Sequence, residues 1–142
     1  MQAGVVAFHR AGDQPVGHKA RALPQDRIPV RVELIREEFQ DELIPALIAE
    51  DMVETADACI DIIYVTLGLL TEMGIDAQTL FDEVQRSNMS KPDPATGKMI
   101  IAGENDPDGI FPGRVKKGPN YFRPNLRALL EHGVADLDIA KA

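Results

Sequence analysis

The segment from Ala58 to Leu70, ACIDIIYVTLGLL, is apolar at almost every position, yet it contains Asp61. A helix that is apolar on nearly every side is normally buried. A carboxylate in such a helix must be neutralised or paired, and the same holds for Asp57, which lies four residues earlier. The segment therefore predicts a helical core that holds acids beside a cationic partner.

The other acids are concentrated near this segment. Residues 33–61 contain ten acids against Arg36 alone, a local net charge of −9, whereas the whole chain of 142 residues carries −8. Residues 86–127 contain eight bases and four acids, a net charge of +4. Overall acidity disfavours broad binding to nucleic acid or anionic lipid, which both need clustered Lys and Arg. We therefore expect cationic partners, or anions that are bridged by cations.

Composition sets the class of protein. The length and the 44% hydrophobic content predict one domain with its own core. The single cysteine, Cys59, cannot form an internal disulfide and lies in an apolar run, which favours a reducing compartment. No signal-like segment and no run of about 18 apolar residues occurs. We therefore expect a cytoplasmic protein that does not contact membranes.

Hydrophobic periodicity predicts three main helices. The first begins near Val30, and Pro45 should kink or end it. The second runs from an N-cap at Asp51 to the residue before Gly74, a glycine placed to close the helix in a left-handed conformation. The third follows Asp76. Three helices with short connections predict a bundle.

Acids on the first two helices share faces. Glu37 and Glu38 lie four and three residues before Asp41, so the three carboxylates project from one side of the first helix. For isolated charges such as Glu37, Glu42 and Glu50 a solvated helix face is the simpler interpretation, and Glu54 has capping-box spacing from Asp51. A second stripe, on the next helix, consists of Glu54, Asp57 and Asp61.

Repulsion between these carboxylates predicts a metal. Two unit charges about 4 Å apart repel by roughly 4 kcal/mol at an effective dielectric of 20. The repulsion energy within a group of four or five carboxylates would therefore be comparable to the free energy of unfolding of a small domain. Arg36 is the only base nearby in sequence. Hard divalent ions such as Mg²⁺ prefer carboxylate oxygens. The three histidines lack ligand spacing and one cysteine cannot supply a thiolate cluster, which disfavours zinc, and no Walker A sequence is present.

These features predict one all-α domain over residues 1–142, a helical bundle with a long Pro/Gly-rich C-terminal loop segment. Residues 1–29 are expected to form a short helix and a loop. Residues 30–89 are expected to form the metal-binding helical core. Residues 90–142 are expected to form a loop-rich basic tail, with a short closing helix after Pro124.

The order Glu38-x-x-Asp41 and then Glu54-x-x-Asp57 resembles the E-x-x-E…E-x-x-D metal signature of the MazG-like, all-α NTP pyrophosphatases, with Asp41 in place of the second glutamate. The likeness to a small, single-domain branch of this superfamily continues through DIIYVTLGLLTEMGID, FDEVQRSNMSK and KKGPNYFRPNL. It covers roughly residues 31–126.

The resemblance implies hydrolysis of a nucleoside triphosphate between its α and β phosphates, which releases a nucleoside monophosphate and pyrophosphate. It implies two or three Mg²⁺ or Mn²⁺ ions per active site, which lower the pKa of a bound water that attacks the α-phosphorus in line. Glu38 or Glu37 is the implied base. The implied metal ligands are Glu38, Asp41, Glu54 and Asp57, with Glu37 and Asp61 as further ligands or outer neighbours of the ions.

The matching motifs also imply substrate contacts. Asn88 and Lys91 are expected at the sugar or phosphate. Lys116 and Lys117 are expected either to close over the polyphosphate or to remain solvated charge. Tyr121, Phe8 or the early loop would supply the pocket for the base.

The resemblance to the superfamily is compatible with several substrates. Superfamily members act on dUTP, dCTP, phosphoribosyl-ATP, mixed NTPs, or dGTP and GTP. The SNMSK motif argues against the histidine-pathway enzyme, and we expect dGTP or GTP. The alternative is a dUTP, dCTP or broad-specificity house-cleaning pyrophosphatase.

An alternative of another class is a non-catalytic acidic helical interaction module. Such a protein should spread its acids over exposed surface, whereas this chain places Asp57 and Asp61 in an apolar helix. That helix also needs more cover than one chain provides, so we expect a homodimer or homotetramer.

Overall fold

The structure, a computed structural model, describes residues 1–140. The last two positions of the predicted C-terminal tail, 141 and 142, lie outside the described residues. Within residues 1–140 the chain is helical and has no β-strand, only two isolated antiparallel bridges, Ile75 with Asp136 and Ile101 with Val115. The predicted all-α class is confirmed.

Six α-helices are present in the described part of the chain. They are α1 (Gln2–Ala11), α2 (Ile28–Arg36), α3 (Ile44–Ile48), α4 (Met52–Glu72), α5 (Ala77–Asn88) and α6 (Leu126–Glu131). A 3₁₀ turn, Gln25–Arg27, precedes α2. A π-helix, Glu37–Leu43, joins α2 to α3.

The residues group into two compact units. The first unit comprises Met1–Ala77 together with the C-terminal residues from Leu130, and it holds α1 to α4. The second unit comprises Gln78–Leu129, and it holds most of α5 and the Pro/Gly-rich segment. The organisation of the chain as one functional domain stays a prediction.

Local signals set both ends of α4. The side chain of Asp51 accepts hydrogen bonds from the backbone N–H groups of Val53 and Glu54 at 3.0 and 3.1 Å, which confirms the predicted N-cap. At the other end Gly74 has φ of +69°, the left-handed conformation that a glycine adopts without strain. The sequence of α4 therefore specifies where this helix starts and stops.

Burial of α4 is incomplete within the single chain. It contacts α1, α2, the π-helix and α3. Ala58 and Gly68 are buried, but Ile60 and Ile63 are 59% and 42% exposed, and Asp57 is also exposed. The other helices of its unit thus leave some faces of α4 uncovered, as expected from its sequence for a single chain, whereas the predicted burial of Asp57 is wrong.

Pro45 does not end the first helical run, which continues to Ile48. Proline has no N–H to donate to the carbonyl four residues earlier, here that of Asp41. The residues before it, Glu37–Leu43, adopt the wider i→i+5 bonding of a π-helix. The altered turn lies where the missing α-helical bond would fall, so the chain changes its helical pitch instead of stopping.

A buried ionic network joins α1, α2 and α4. Glu72, which is 2% exposed, accepts hydrogen bonds from Arg31 at 2.5 and 3.0 Å and from Arg27 at 2.7 and 3.0 Å. His9 completes it, with Nε2 3.1 Å from Arg31 and Nδ1 2.9 Å from the carbonyl of Pro15. Since a guanidinium only donates and a carbonyl only accepts, His9 carries its proton on Nδ1. Burial would raise the pKa of Glu72, but the bonds from Arg27 and Arg31 outweigh it and lower that pKa.

Gly68 makes room for this network. A Cβ atom at Gly68 would lie 2.8 Å from Nη1 of Arg31 and 3.0 Å from Nε2 of His9. We expect Gly68→Ala to lower the free energy of unfolding by roughly 1–3 kcal/mol, because added atoms in a packed site force side chains from their positions. Urea denaturation measures this change.

The control is Gly4→Ala in α1, because a Cβ atom added at Gly4 would have nothing within 4 Å. Alanine there should leave stability unchanged or raise it by roughly 0.5–1 kcal/mol. Equal effects at the two sites would contradict the close packing at Gly68.

Candidate metal centre

Three carboxylates from two helical segments meet in the first unit. Glu38 and Glu42 lie on the π-helix and Asp61 lies on α4, and one oxygen of each is within 4.8 Å of the others. Glu38 and Asp61 are half-buried, and Glu42 is exposed. Carboxylate oxygens in such a group are the ligands that hard divalent cations prefer.

The π-helix explains why Glu42 belongs to this cluster and Asp41 does not. A π-turn takes more residues than the 3.6 of an α-helix. A side chain three residues after Glu38 is therefore turned further away from it, while one four residues after is brought nearer to it. The predicted pairing of Glu38 with Asp41 assumed α-helical geometry, and Glu42 takes that place in the structure.

Glu38 has the features of a metal ligand. Its Oε2 atom is buried and has no hydrogen-bond partner. Burial raises the pKa of the Glu38 carboxyl, and the charges of Glu42, Asp61 and Glu37 and a hydrogen bond with Glu42 raise it further. A buried polar atom without a partner is costly, and a bound cation would supply the missing interaction. The residues present therefore fit a divalent ion.

Arg36 holds Asp41 in a separate interaction. It donates hydrogen bonds of 3.0 and 2.9 Å to the two carboxylate oxygens of Asp41, and it also pairs with Glu33 at 2.6 Å. The hydrogen bonds from Arg36 lower the pKa of Asp41. Arg36, the one base in the acidic part of the sequence, thus neutralises an acid beside the cluster and not within it.

A cavity of about 390 Å³ adjoins the cluster through Glu42. Asp41 and Glu54, both predicted as ligands, also line it, together with the capping residue Asp51. Its size lies within the range of small-molecule sites. The acids around the cavity therefore extend the negatively charged surface beyond the three clustered carboxylates.

The predicted acids thus fall into three groups. Glu38 and Asp61 are in the cluster, Asp41 and Glu54 line the cavity, and the exposed Glu37 and Asp57 belong to neither. Sequence reasoning placed Glu42 on a solvated face and missed it as a candidate ligand. Two features of the sequence could have identified Glu42 as a ligand. It lies four residues after Glu38, and it lies shortly before Pro45, which disturbs regular α-helical bonding.

The other predicted substrate contacts lie in the second unit, whereas Phe8, a candidate for the base pocket, lies on α1 of the first. Asn88, which is half-buried, ends α5, and the carbonyl of Lys91 accepts a 2.9 Å bond from the Gly118 N–H. Lys117 lies over the ring of Tyr121, 4.8 Å from its centre. Their roles in substrate binding stay predictions.

Lys116, the remaining predicted contact, forms ion pairs with Asp106 and Asp108 at 2.5 and 3.0 Å. These hydrogen bonds raise the pKa of Lys116. Its charge therefore already has partners within the loop segment, and contact with a phosphate would require it to exchange them.

A family profile for phosphoribosyl-ATP pyrophosphohydrolase matches residues 5–88, more than half of the chain. The chain belongs to this family. The family is part of the MazG-like all-α NTP pyrophosphatase superfamily, so the resemblance predicted from the sequence is confirmed. The matched range includes all three clustered carboxylates. A search of curated proteins found no significant match.

Membership of the family supports a hydrolase that acts on acid anhydrides, of a typically metal-dependent kind. The acid cluster provides a group of residues that can bind such a metal. Across residues 1–140, none of the helices has the length and apolar character needed to cross a membrane.

Proton binding at Glu38 yields a test of the cluster. The pKa of Glu38 is higher in the folded protein than in the unfolded chain, where it is about 4.3. As the pH rises through the interval between these two values, Glu38 increasingly destabilises the metal-free fold. We expect Glu38→Gln to unfold at the same or a higher temperature than wild type in EDTA at pH 7. Wild type should gain about 2.7 kcal/mol at a Mn²⁺ concentration of 100 times the Kd, and the variant much less.

Thermal unfolding with EDTA and with Mn²⁺ measures both effects. Glu50→Gln, at an exposed acid in the turn before α4, is the matched control and should behave as wild type. Equal Mn²⁺ stabilisation of Glu38→Gln and wild type would remove Glu38 from the ligand set.

Proposed function

We propose that this protein is a metal-dependent nucleoside triphosphate pyrophosphohydrolase that cleaves between the α and β phosphates. The products are a nucleoside monophosphate and pyrophosphate. The observation that carries the proposal is the cluster of Glu38, Glu42 and Asp61, with its buried, unpartnered Glu38 oxygen, in a member of a pyrophosphohydrolase family.

The clustered carboxylates are the proposed ligands of a first Mg²⁺ or Mn²⁺. Asp41 and Glu54, at the cavity beside Glu42, are proposed to hold a second ion. Recruiting Asp41 requires it to leave Arg36, which costs little because exposed ion pairs contribute only about 0–1 kcal/mol. When bound, the ions neutralise phosphate charge and make water a better nucleophile.

Glu38 or its exposed neighbour Glu37 is the proposed base. Glu38 lies in the cluster and Glu37 is its neighbour on the π-helix, so a carboxylate is available beside the proposed ions to accept a proton from water. Glu37 has free access to solvent, so it can pass the proton on. Asp57 is proposed as an outer ligand or as the partner of a coordinated water.

The proposed substrate is dGTP or GTP, and the SNMSK segment argues against the substrate of the histidine-pathway enzyme. The name of the matched family favours a second candidate, phosphoribosyl-ATP. dUTP, dCTP or a broad set of nucleotides form the third. Asn88, Lys91, Lys116, Lys117 and Tyr121 are the proposed substrate contacts.

Product analysis tests the reaction. The protein is incubated with each NTP, each dNTP and phosphoribosyl-ATP in Mg²⁺ or Mn²⁺, and the products are separated by ion-exchange chromatography. We expect monophosphate and pyrophosphate, fastest from dGTP or GTP. Diphosphate and orthophosphate would show cleavage at the other bond. No turnover of any nucleotide by metal-loaded protein would favour the non-catalytic acidic module.

Variants of the cluster test its role in the same assay. Glu38→Ala and Asp61→Asn should each lower kcat/KM by more than the roughly 10–100-fold loss that follows removal of a ligand's hydrogen-bond partner in metalloenzymes. Helicity should be retained by circular dichroism. Glu50→Gln should keep wild-type turnover, and full activity of Glu38→Ala would refute the assignment.

A homodimer or homotetramer is also proposed. The first unit exposes large apolar side chains on several helical segments, beyond what scattered surface residues explain. Examples are Val32, Phe39, Leu47, Ile60 and Ile63, which are 42–60% exposed. A second copy of the chain would cover them, as the apolar character of α4 requires.

Sedimentation equilibrium should give two or four times the chain mass of 15.6 kDa. Ile63→Glu should weaken association, because burying an unpaired charge in an interface is costly. Gln85→Glu adds the same charge at an exposed polar position of α5 and should leave the mass unchanged. A monomeric wild type would contradict the assembly.

A further inference from the structure

The two segments that carry the clustered acids run alongside each other beyond the cluster. Gly68 of α4 lies against Arg31 of α2, since a Cβ atom on Gly68 would come within 2.8 Å of Nη1 of Arg31. Glu38 lies seven residues after Arg31, whereas Asp61 lies seven residues before Gly68, and these two acids meet in the cluster. The segments are therefore antiparallel, and the Arg31 contact lies about two helical turns from the ligands.

Arg31 is held at this point by a buried, directional contact. Its Nε and Nη2 atoms both bond Oε1 of Glu72, and the two residues are 6% and 2% exposed. Arg27 bonds both oxygens of Glu72, and His9 accepts from Arg31. A shift of either helix along the other would leave these charges without partners away from water.

The acid cluster cannot hold the same register by itself. Its carboxylates repel one another when no cation is bound, which favours separation of the two segments. Apolar contacts between the helices are non-directional and tolerate sliding more easily than an ion pair does. A directional attraction away from the cluster is therefore needed to keep Glu38 and Glu42 opposite Asp61.

We infer that Arg31 and Glu72 set the register of the two acid-bearing segments and so act as positioning residues for the metal site. The inference rests on the proposed function, because it gives Arg31 and Glu72, which do not touch the proposed ligands, a role in binding the proposed metal. It predicts that the pair controls metal affinity in the folded protein, which a purely stabilising contact would not do.

The test replaces the pair by apolar residues of similar length, Arg31→Met together with Glu72→Met. Such replacements of buried ion pairs often preserve or increase stability. Arg27, whose side chain is 25% exposed, can turn to water and keeps its bond to Gln14. We expect the double variant to unfold cooperatively but to bind Mn²⁺ at least tenfold more weakly than wild type, as measured by calorimetric titration below the unfolding transition.

The matched control is Glu83→Gln with Arg86→Gln, which removes a partly exposed ion pair of α5, in the second unit, and should leave Mn²⁺ affinity unchanged. Arg31→Lys keeps the charge but lacks the planar fork that makes two bonds, so its affinity should lie between those of wild type and the double variant. It also serves as the test if the double variant does not fold. Wild-type Mn²⁺ affinity in a folded Arg31 variant would overturn the inference.

A second readout does not depend on metal. Spin labels are placed on the native Cys59 of α4 and on Glu33→Cys of α2, both at exposed positions, and the labelled protein is diluted with unlabelled chain. Loss of the ion pair should shift or broaden the distance distribution, and an unchanged distribution would overturn the inference. If the wild type binds no Mn²⁺ and loss of the ion pair still shifts the distances in the variants, the proposed function is refuted and the register role stands.

Discussion

Repulsion among carboxylates is the constraint on which the first unit of this protein depends. Glu38, Glu42 and Asp61 are brought within 4.8 Å of one another, and one oxygen of Glu38 is buried without a donor. Within the cluster, the hydrogen bond between Glu38 and Glu42 offsets this repulsion while one of the two carboxyls is protonated. The helices stay together because α4 packs on four other helical segments. In addition, Glu72, at the end of α4 away from the cluster, forms ion pairs with two arginines. A repulsive site is thus held in place by attraction elsewhere, an arrangement that suits a site completed by a cation.

The parts of the fold that could be predicted from the sequence are those with local causes. Asp51 caps α4 and Gly74 closes it because each acts on backbone groups within a few residues. The acidic composition likewise identified the segments that carry the site. Membership of the superfamily was indicated by the resemblance of several short motifs to those of its members, and the matched family confirms it.

The parts that could not be predicted depend on helix geometry or on distant contacts. Replacing α-helical by π-helical bonding before Pro45 changes which acid faces Asp61, so Glu42 and not Asp41 joins Glu38. Arg31 and Glu72 are 41 residues apart, and neither has a sequence signal that marks it as the partner of the other. A motif written as a residue spacing carries an assumption about helical pitch, and here that assumption failed over one turn.

The ion pairs of the second unit change how its charge acts at a distance. The formal excess of +4 over residues 86–127 already subtracts Asp106 and Asp108, the partners of Lys116, but it leaves out Glu83, the partner of Arg86, and residues 83–127 carry +3. Paired charges produce a weak field beyond about 10 Å at moderate ionic strength. Added salt should therefore slow the capture of a polyanion from solution less than a net charge of +4 implies.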